Sequence, residues 1–281
     1  MFYEILVKPF RKAPARAMLL TGLTIVLIVV IMAVFAPWIA PYDPVQRTHD
    51  RFAPPSWKHL MGTNKLGYDM FSRIVYGSRV ILEVVFIAAI ISSSIGIPLG
   101  LISGYYGGKA DKTLSIIMDS IYAFPSLILA ITVAAILGPS PVNTALSISV
   151  VYIPTYFRMV RGKVIALKGT PLIEALQSLG LKTKTILLKH ITPNIAPTIL
   201  VVFSLSVADA ILTEAGLSFL GLSVVPPTPD WGYDLRVGKT FLTGGYWWLV
   251  FFPGFMVIIL AIGFALIGEA LSERFNISRE V

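Results

Sequence analysis

Side chains that could do chemistry within the long apolar segments of this chain are few and scattered. Asp119 and Asp209 are the only aspartates inside such segments, and they stand far apart in the sequence. The histidines His49, His59 and His190 are not spaced as metal ligands, and the chain has no cysteine. Thiolate metal sites and disulfides are therefore excluded, no metal site is predicted, and a two-aspartate membrane protease is set aside.

Only one short stretch resembles a phosphate-binding loop, and it lacks part of the required sequence pattern. Gly238-Lys239-Thr240 matches the end of that pattern, but the first glycine it requires falls at Tyr233. The stretch is also predicted to lie on the outer side of a membrane, away from cytoplasmic ATP. We therefore expect this chain to bind no cofactor and not to be an enzyme.

The composition identifies the medium in which these residues sit. The chain has 281 residues, 56% of them hydrophobic and only 14% charged, with a mean hydropathy of +0.79. Soluble domains carry about 25% charged residues. The sequence therefore predicts an all-α, polytopic protein in a lipid bilayer. Its net charge of +8 is assigned to basic loops facing the cytoplasm and not to nucleic-acid binding.

Apolar runs long enough to cross a hydrocarbon core of about 30 Å occur six times. They are predicted at residues 18–39, 80–102, 114–137, 142–160, 195–215 and 247–267. The first is too long for a signal peptide and lacks a convincing cleavage site, so it is expected to be retained. The remaining segments are a tail (1–17), an external loop (40–79), a core domain (80–270) containing a large basic loop (161–194), and a second tail (271–281).

Basic residues predict the orientation of the spans. With an even number of spans both termini lie on one side, and that side also holds the 161–194 loop. Most lysines and arginines fall in these segments, and short loops rich in them face the cytoplasm. We therefore expect both termini in the cytoplasm.

A stripe of small residues runs along the second predicted span. Its members recur at every fourth position: Ser92, Gly96, Gly100 and Gly104. Small residues at this spacing allow another helix backbone to approach closely. Helix packing within the monomer or a dimer is the favoured interpretation, and a direct pore-lining role is the alternative.

The basic loop contains a short amphipathic helix. Thr170 is suited to cap its start, Pro171 to its first position and Gly180 to a left-handed stop. Four apolar residues share one face at helical spacing: Leu172, Ala175, Leu176 and Leu179. A rod of about 14 Å is too short to be stable alone in water. Docking into a groove on a partner protein and resting on lipid headgroups are both compatible with this periodicity.

Several motifs in this sequence resemble one family. Glu174-Ala175, Gly180 and His190-Ile191-Thr192-Pro193-Asn194 resemble the cytoplasmic-loop signature of binding-protein-dependent ABC importer permeases. Further matching motifs lie at residues 38–44, 61–69, 104–108, 124–127, 214–221 and 226–232. Because these motifs occur in the right order over most of the chain, the resemblance extends to the dipeptide/oligopeptide/nickel branch, and to its second, "C"-type permease.

Four positions depart from the pattern of that branch. Leu176 stands where the family has alanine, and Thr192 replaces the usual leucine. Neither change removes the amphipathic helix. Asn64 and Tyr68 stand where the branch commonly has aspartate and arginine. This second pair leaves open how the external loop meets its partner.

The resemblance implies a type I ABC importer permease fold and one half of a translocation pore. Its expected partners are a second homologous permease, two cytoplasmic ATPases that bind ATP and Mg, and an extracytoplasmic substrate-binding protein. The residues expected to couple this chain to the ATPases are Glu174, Ala175, Leu176, Leu179 and Gly180. Asp119 and Asp209 are candidate polar residues of the pore.

The cargo is less closely defined than the architecture. Di- and oligopeptides are expected from the branch, and nickel chelates, glutathione or oligosaccharides are alternatives. From another class of protein, the alternative is a self-sufficient secondary transporter or channel. Such proteins often contain internal repeats with broken helices, and the two halves of this sequence show no convincing repeat.

Overall fold

The computed structural model describes residues 13–275. These residues are predominantly helical. Within the described residues the only β-type pairing is an isolated bridge between Thr63 and Asp69. Most of the predicted N-terminal tail and part of the C-terminal tail lie outside the described residues.

The longer helices are numbered here in chain order. They are α1 (Ala13–Val34), α2 (Met70–Tyr106), α3 (Gly108–Tyr122), α4 (Ser126–Leu137), α5 (Pro141–Lys168), α6 (Pro171–Ser178), α7 (Thr192–Leu220), α8 (Trp231–Lys239) and α9 (Trp248–Phe275). Shorter helical turns occupy Ala36–Ile39, Thr183–Thr185 and Leu242–Gly244, and a π-helix occupies Ile186–Ile191.

Four continuous helices in residues 13–275 are long and apolar enough to cross a membrane. They are α1, α2, α9 and the continuous helical run Thr183–Leu220 that ends with α7. Helices α3 and α4 make a fifth candidate span if a bent pair counts as one. The fourth predicted span falls in α5, which at 28 residues is about 42 Å long but is not apolar enough to qualify by composition.

The third predicted span is not one straight helix. Helices α3 and α4 meet at an angle of 88°. Pro125 provides the reason, because it has no backbone N–H to donate and it disfavours helical backbone at Phe124 before it. The prediction of a continuous span over residues 114–137 was therefore wrong in shape.

The predicted loop at residues 161–194 is mostly helical. Helix α5 continues to Lys168, and the helical run that contains α7 begins at Thr183 instead of near residue 195. The π-helix lies inside this run, directly before α7. The basic residues of this region therefore project mainly from helices and not from an irregular loop.

The stripe of small residues packs inside the chain, between α2 and α5. A Cβ added at Gly96 or Gly100 would lie 2.7 Å from the carbonyl oxygen of Ile153 or Phe157. The equivalent distance at Gly104 is 2.8 Å, and Ser92 is fully buried. No side chain larger than hydrogen fits at these three glycines without moving a backbone, so the stripe holds two helices together and does not line a pore.

Candidate functional site

The local sequence defines both ends of α6. Pro171 occupies the first turn as predicted. Thr170 stands at the N-cap position, but its hydroxyl donates to the carbonyl oxygen of Leu167 at 2.7 Å and does not cap the helix. The prediction of a side-chain cap was therefore wrong. The threonine instead ties the helix start to the end of α5.

The other end of α6 is closed by a glycine. Gly180 has a φ of +75°, a conformation that side chains with a Cβ rarely adopt. Its N–H donates to the carbonyl oxygen of Gln177 at 2.9 Å, and the N–H of Leu181 donates to that of Leu176 at 3.2 Å. These two bonds form a Schellman motif. The predicted left-handed stop is confirmed, and it turns the chain sharply away from the helix.

Ile173 anchors α6 to the rest of the protein. Only 2% of its surface is exposed. It belongs to a buried cluster with Leu101, Tyr105, Val160, Val164, Ile186, Ile191 and Ile195. This residue was missed from the sequence, because its partners come from α2, α5 and the π-helix and are distant along the chain.

Most of the predicted apolar face of α6 is not used inside the chain. Leu172 is 57% exposed and Leu179 is 76% exposed. Ala175 and Glu174 are also exposed, while Leu176 is half-buried against the cluster around Ile173. One face of α6 therefore holds it in place, and a second apolar face is left uncovered.

Polar contacts fix the position of this end of the bundle. The amide nitrogen of Gln177 donates to the Tyr105 hydroxyl at 3.2 Å, which links α6 to the end of α2. Arg161 donates from Nε and Nη2 to the two carboxylate oxygens of Asp111, at 2.5 and 2.8 Å. The Ser103 hydroxyl donates to the same carboxylate. Asp111 thus joins α2, α3 and α5, a role for which the sequence offered no periodic signal.

The two acids predicted as pore residues occupy different environments. Asp209 faces a cavity of about 540 Å³, lined by residues from the α3–α4 break, from α5 and from α7. Asp119 does not line this cavity, and its carboxylate lies 3.5 Å from Arg158 in an exposed ion pair. The structure therefore does not bring the two acids together.

The two segments that precede α2 and α8 meet at Arg73. This guanidinium is only 1% exposed and donates from Nε to both carboxylate oxygens of Asp234, at 2.9 and 3.0 Å. Its Nη1 donates to the carbonyl oxygens of Pro44 and Pro227, at 3.2 and 3.1 Å. Burial raises the pKa of Asp234 to about 6, although Arg73 acts in the opposite direction.

Helix α8 is locked onto α2 and α7. The indole N–H of Trp231 donates to the carbonyl oxygen of Ile74 at 2.9 Å, and this side chain is fully buried. Asp230 accepts from the N–H of Tyr233 at 2.8 Å and so caps α8. Glu214 is also fully buried and accepts from the Ser223 hydroxyl at 3.0 Å. Glu214 therefore links α7 to the segment that follows it and does not line the cavity.

The comparisons with known families agree with this architecture. The family described as "Binding-protein-dependent transport system inner membrane component" matches residues 96–277. The chain belongs to this family. A second description, "N-terminal TM domain of oligopeptide transport permease C", matches residues 15–55. The first match contains both α6 and the cavity, and the second contains most of α1 and part of the predicted external loop.

Relatives and a solved structure extend the match over almost the whole permease. This chain is 38% identical over 268 residues to the "Dipeptide transport system permease protein DppC" of Alkalihalophilus pseudofirmus. The alignment covers 95% of this chain and 88% of the relative. The chain is 36% identical to the "Glutathione transport system permease protein GsiD" of Pectobacterium atrosepticum, covering 89% and 84%. A chain of the MetNI methionine ABC transporter, in an inward-facing conformation, matches the fold with a TM-score of 0.59 at 20% identity, covering 71% of this permease and 94% of that chain.

The chain is therefore a multi-pass membrane permease subunit of an ABC transporter with a type I importer fold. Within residues 13–275 no three His, Asp or Glu side chains gather where they could hold a metal ion. The predicted orientation of the termini, the identities of the partner subunits and the cofactors of those subunits stay predictions.

Proposed function

We propose that this permease forms one half of a pore that imports di- and oligopeptides. Its α6 would couple the pore to two cytoplasmic ATPases that bind ATP and Mg. The other half would be a second homologous permease, and cargo would arrive from an extracytoplasmic binding protein. Peptide cargo is supported by the dipeptide permeases among its relatives. Glutathione is a second candidate, because a glutathione permease is similarly close.

The observation that carries the coupling role is the uncovered apolar face of an anchored helix. Leu172 and Leu179 expose apolar surface, although Ile173 on the same helix is buried. An apolar helix face that no part of the same chain covers is suited to a groove on a partner. A partner that grips this face in only one pore conformation would shift the pore towards that conformation.

The same surface also accounts for the roles proposed for individual residues. Leu172 and Leu179 would enter the groove, with the exposed part of the half-buried Leu176 between them. Glu174 and Ala175 would lie along its edge. Gly180 would turn the chain away from the groove, because its φ of +75° is one that residues with a Cβ rarely adopt. This arrangement requires α6 to lie on the cytoplasmic side, with both termini, in the inner membrane of a prokaryote.

The coupling proposal is tested by charged substitutions in the assembled transporter. We expect Gly180→Asp, and Ala175→Asp separately, to abolish ATP-driven dipeptide uptake while the permease remains inserted in the membrane. Gly169→Asp is a matched control, since Gly169 has an ordinary φ and open space around its Cβ position. Normal uptake by the Gly180 and Ala175 variants would contradict the coupling role.

The cargo is tested separately with the purified transporter. The wild-type permease, its ATPases and its binding protein are reconstituted in vesicles with labelled dipeptide and ATP. We expect uptake only when all the subunits are present, and competition by unlabelled dipeptides. Competition by glutathione, nickel chelates or oligosaccharides, but not by dipeptides, would assign a different cargo. Uptake by this chain alone would support a self-sufficient transporter or channel instead.

A further inference from the structure

The cavity next to Asp209 lies where backbone at membrane depth is not helical. Its wall includes Tyr122 and Phe124 from the break between α3 and α4. Broken backbone inside a bilayer is tolerated where it is buried in protein or lines a water-filled space. The large exposed fractions of Tyr122 (54%) and Phe124 (59%) place this wall on an open surface of the chain. The polar side chains of Asp209, Thr155 and Thr213 in the same wall favour an aqueous space over a lipid-facing one.

Asp209 brings a negative charge to this space. It lies in the middle of the α7 span, where a charged side chain is costly unless it faces an aqueous cavity or a charged partner. No hydrogen bond or ion pair to its carboxylate exists among residues 13–275. Arg158 on α5 is engaged with Asp119. The Asp209 carboxylate is thus available to a cation that this part of the chain does not supply.

The rest of the lining suits an ammonium group. The hydroxyls of Tyr152 and Thr213 lie 3.3 Å apart beside Asp209, and that of Thr213 also donates to the carbonyl oxygen of Asp209 at 3.0 Å. Aromatic faces attract cations. The Arg158 guanidinium occupies the face of Tyr122 at 4.5 Å from its centroid, which leaves the rings of Phe124 and Tyr152 in the lining. A carboxylate, hydroxyl oxygens and aromatic faces together can bind a primary ammonium and offer little to an anion.

We propose that this cavity is a subsite for the α-ammonium end of a peptide in transit, with Asp209 as its counter-charge. The proposal rests on the peptide-import function proposed above and adds a binding residue to it. A volume of about 540 Å³ lies in the range of small-molecule sites. A site of this kind holds the cargo by one end and leaves its side chains free, as a pore for peptides of varied sequence requires.

The charge of the cavity is tested first, by the reactivity of a single cysteine. Because the chain has no native cysteine, Thr155→Cys places one reporter in the cavity wall. Cationic and anionic methanethiosulfonates are applied to the assembled transporter in vesicles, and modification of this chain is read by mass spectrometry. We expect the cationic reagent to react faster, and the ratio of the two rates to fall about tenfold when Asp209→Asn is added. Glu83→Gln, an acid-to-amide change on α2 outside the cavity, should leave the ratio unchanged.

The ligand is tested second, by protection of the same cysteine. Dialanine should slow modification of Thr155→Cys, and N-acetyl-dialanine, which lacks the ammonium, should not. Asp209→Asn should remove the protection, and Asp209→Glu should keep most of it. Equal protection by both peptides, or a rate ratio that ignores Asp209, would overturn the subsite. A cysteine that neither reagent modifies would do so too, and would indicate that a side chain of the second permease fills the cavity.

Failure of the subsite is distinguishable from failure of the proposed function. If the wild-type transporter takes up dipeptide but Asp209→Asn changes neither uptake nor the rate ratio, only the subsite is wrong. If the wild-type transporter takes up no dipeptide, the proposed cargo is wrong, whatever the charge of the cavity.

Discussion

The two ends of this permease, predicted to be its outer and its cytoplasmic end, are held together in different ways. At the outer end, Arg73 is buried and bridges Asp234 and two backbone carbonyls from separate loops. At the cytoplasmic end, α6 is anchored mainly through Ile173, and its apolar neighbour Leu172 is left exposed. The Arg73 guanidinium thus finds its partners inside the chain, whereas the apolar surface of α6 finds its partners there only in part.

This difference indicates which surface of the permease needs a partner to cover it. A buried, fully paired network such as that around Arg73 gains nothing from a further partner, and it loses much if one member is removed. An exposed apolar face such as that of α6 gains free energy when another protein covers it. We therefore expect substitutions at the outer end to act on stability, and substitutions on the exposed face of α6 to act on coupling.

The largest effect is expected from removing the outer guanidinium. Arg73→Ala leaves the Asp234 carboxylate buried without its cation, which should destabilise the permease by about 3–5 kcal/mol. The apparent melting temperature of the purified transporter measures this loss. Arg47→Ala is the matched control, because it removes an exposed arginine from the segment before α2 that Arg73 contacts at Pro44. Equal melting temperatures for the two variants would show that the Arg73 network does not hold the outer loops.

Substitutions of a buried and of an exposed residue of α6 should change different properties of the transporter. Ile173→Ala removes packing from the buried cluster and should destabilise this region by about 2–5 kcal/mol. Leu172→Ala should leave stability unchanged but weaken binding-protein-stimulated ATP hydrolysis, because it removes surface that only a partner covers. Hydrogen exchange of α6 and ATPase assays measure the two properties. A stability loss at Leu172 as large as that at Ile173 would refute the assignment of two separate faces.

Asp234 should make stability depend on pH in a narrow window. Its pKa is about 6 in the folded chain, against an ordinary value of 3.8, so the folded state binds this proton more tightly than the unfolded state does. Its contribution to stability is therefore present below about pH 4 and is lost as pH rises through about 6, a change of about 3 kcal/mol. Asp234→Asn should lack this slope. Thermal unfolding between pH 4 and 7 measures it, and identical slopes for both proteins would contradict the assignment.

The smallest effect is expected from the exposed ion pair between Lys58 and Asp50, in the predicted external loop before α2. Lys58 lowers the pKa of Asp50 by donating a hydrogen bond to it, but both side chains are well exposed. Water and salt screen such pairs. Lys58→Ala should therefore leave the melting temperature unchanged within error. A loss comparable to that of Arg73→Ala would show that burial is not what separates the two pairs.

The features that the sequence predicted are those that local rules determine. Pro171 and Gly180 bound α6 because their backbone preferences act at the residue itself. The apolar runs indicated the membrane class without reference to any long-range contact. The stripe from Ser92 to Gly104 was identified as a packing surface for the same reason, although only the structure shows that α5 is the helix it meets.

The features that the sequence did not predict depend on contacts between distant segments. Ile173 was not distinguished from Leu172, because its burial depends on a π-helix and on residues of α2 and α5. The ion pair between Asp111 and Arg161 joins residues that no periodic pattern relates. The bend between α3 and α4 could have been expected from Pro125. It was not predicted, because the apolar residues on both sides of Pro125 together have the length of one straight span.

The coupling role of α6 is tested most directly by reactivity of its exposed face in the presence and absence of the ATPases. Leu179→Cys provides the reporter in this cysteine-free chain, and Val45→Cys in the external loop is the control. We expect maleimide to modify Leu179→Cys rapidly in the permease pair alone and much more slowly in the assembled transporter. Modification of Val45→Cys should not change. An equal rate at Leu179→Cys with and without the ATPases would contradict the account.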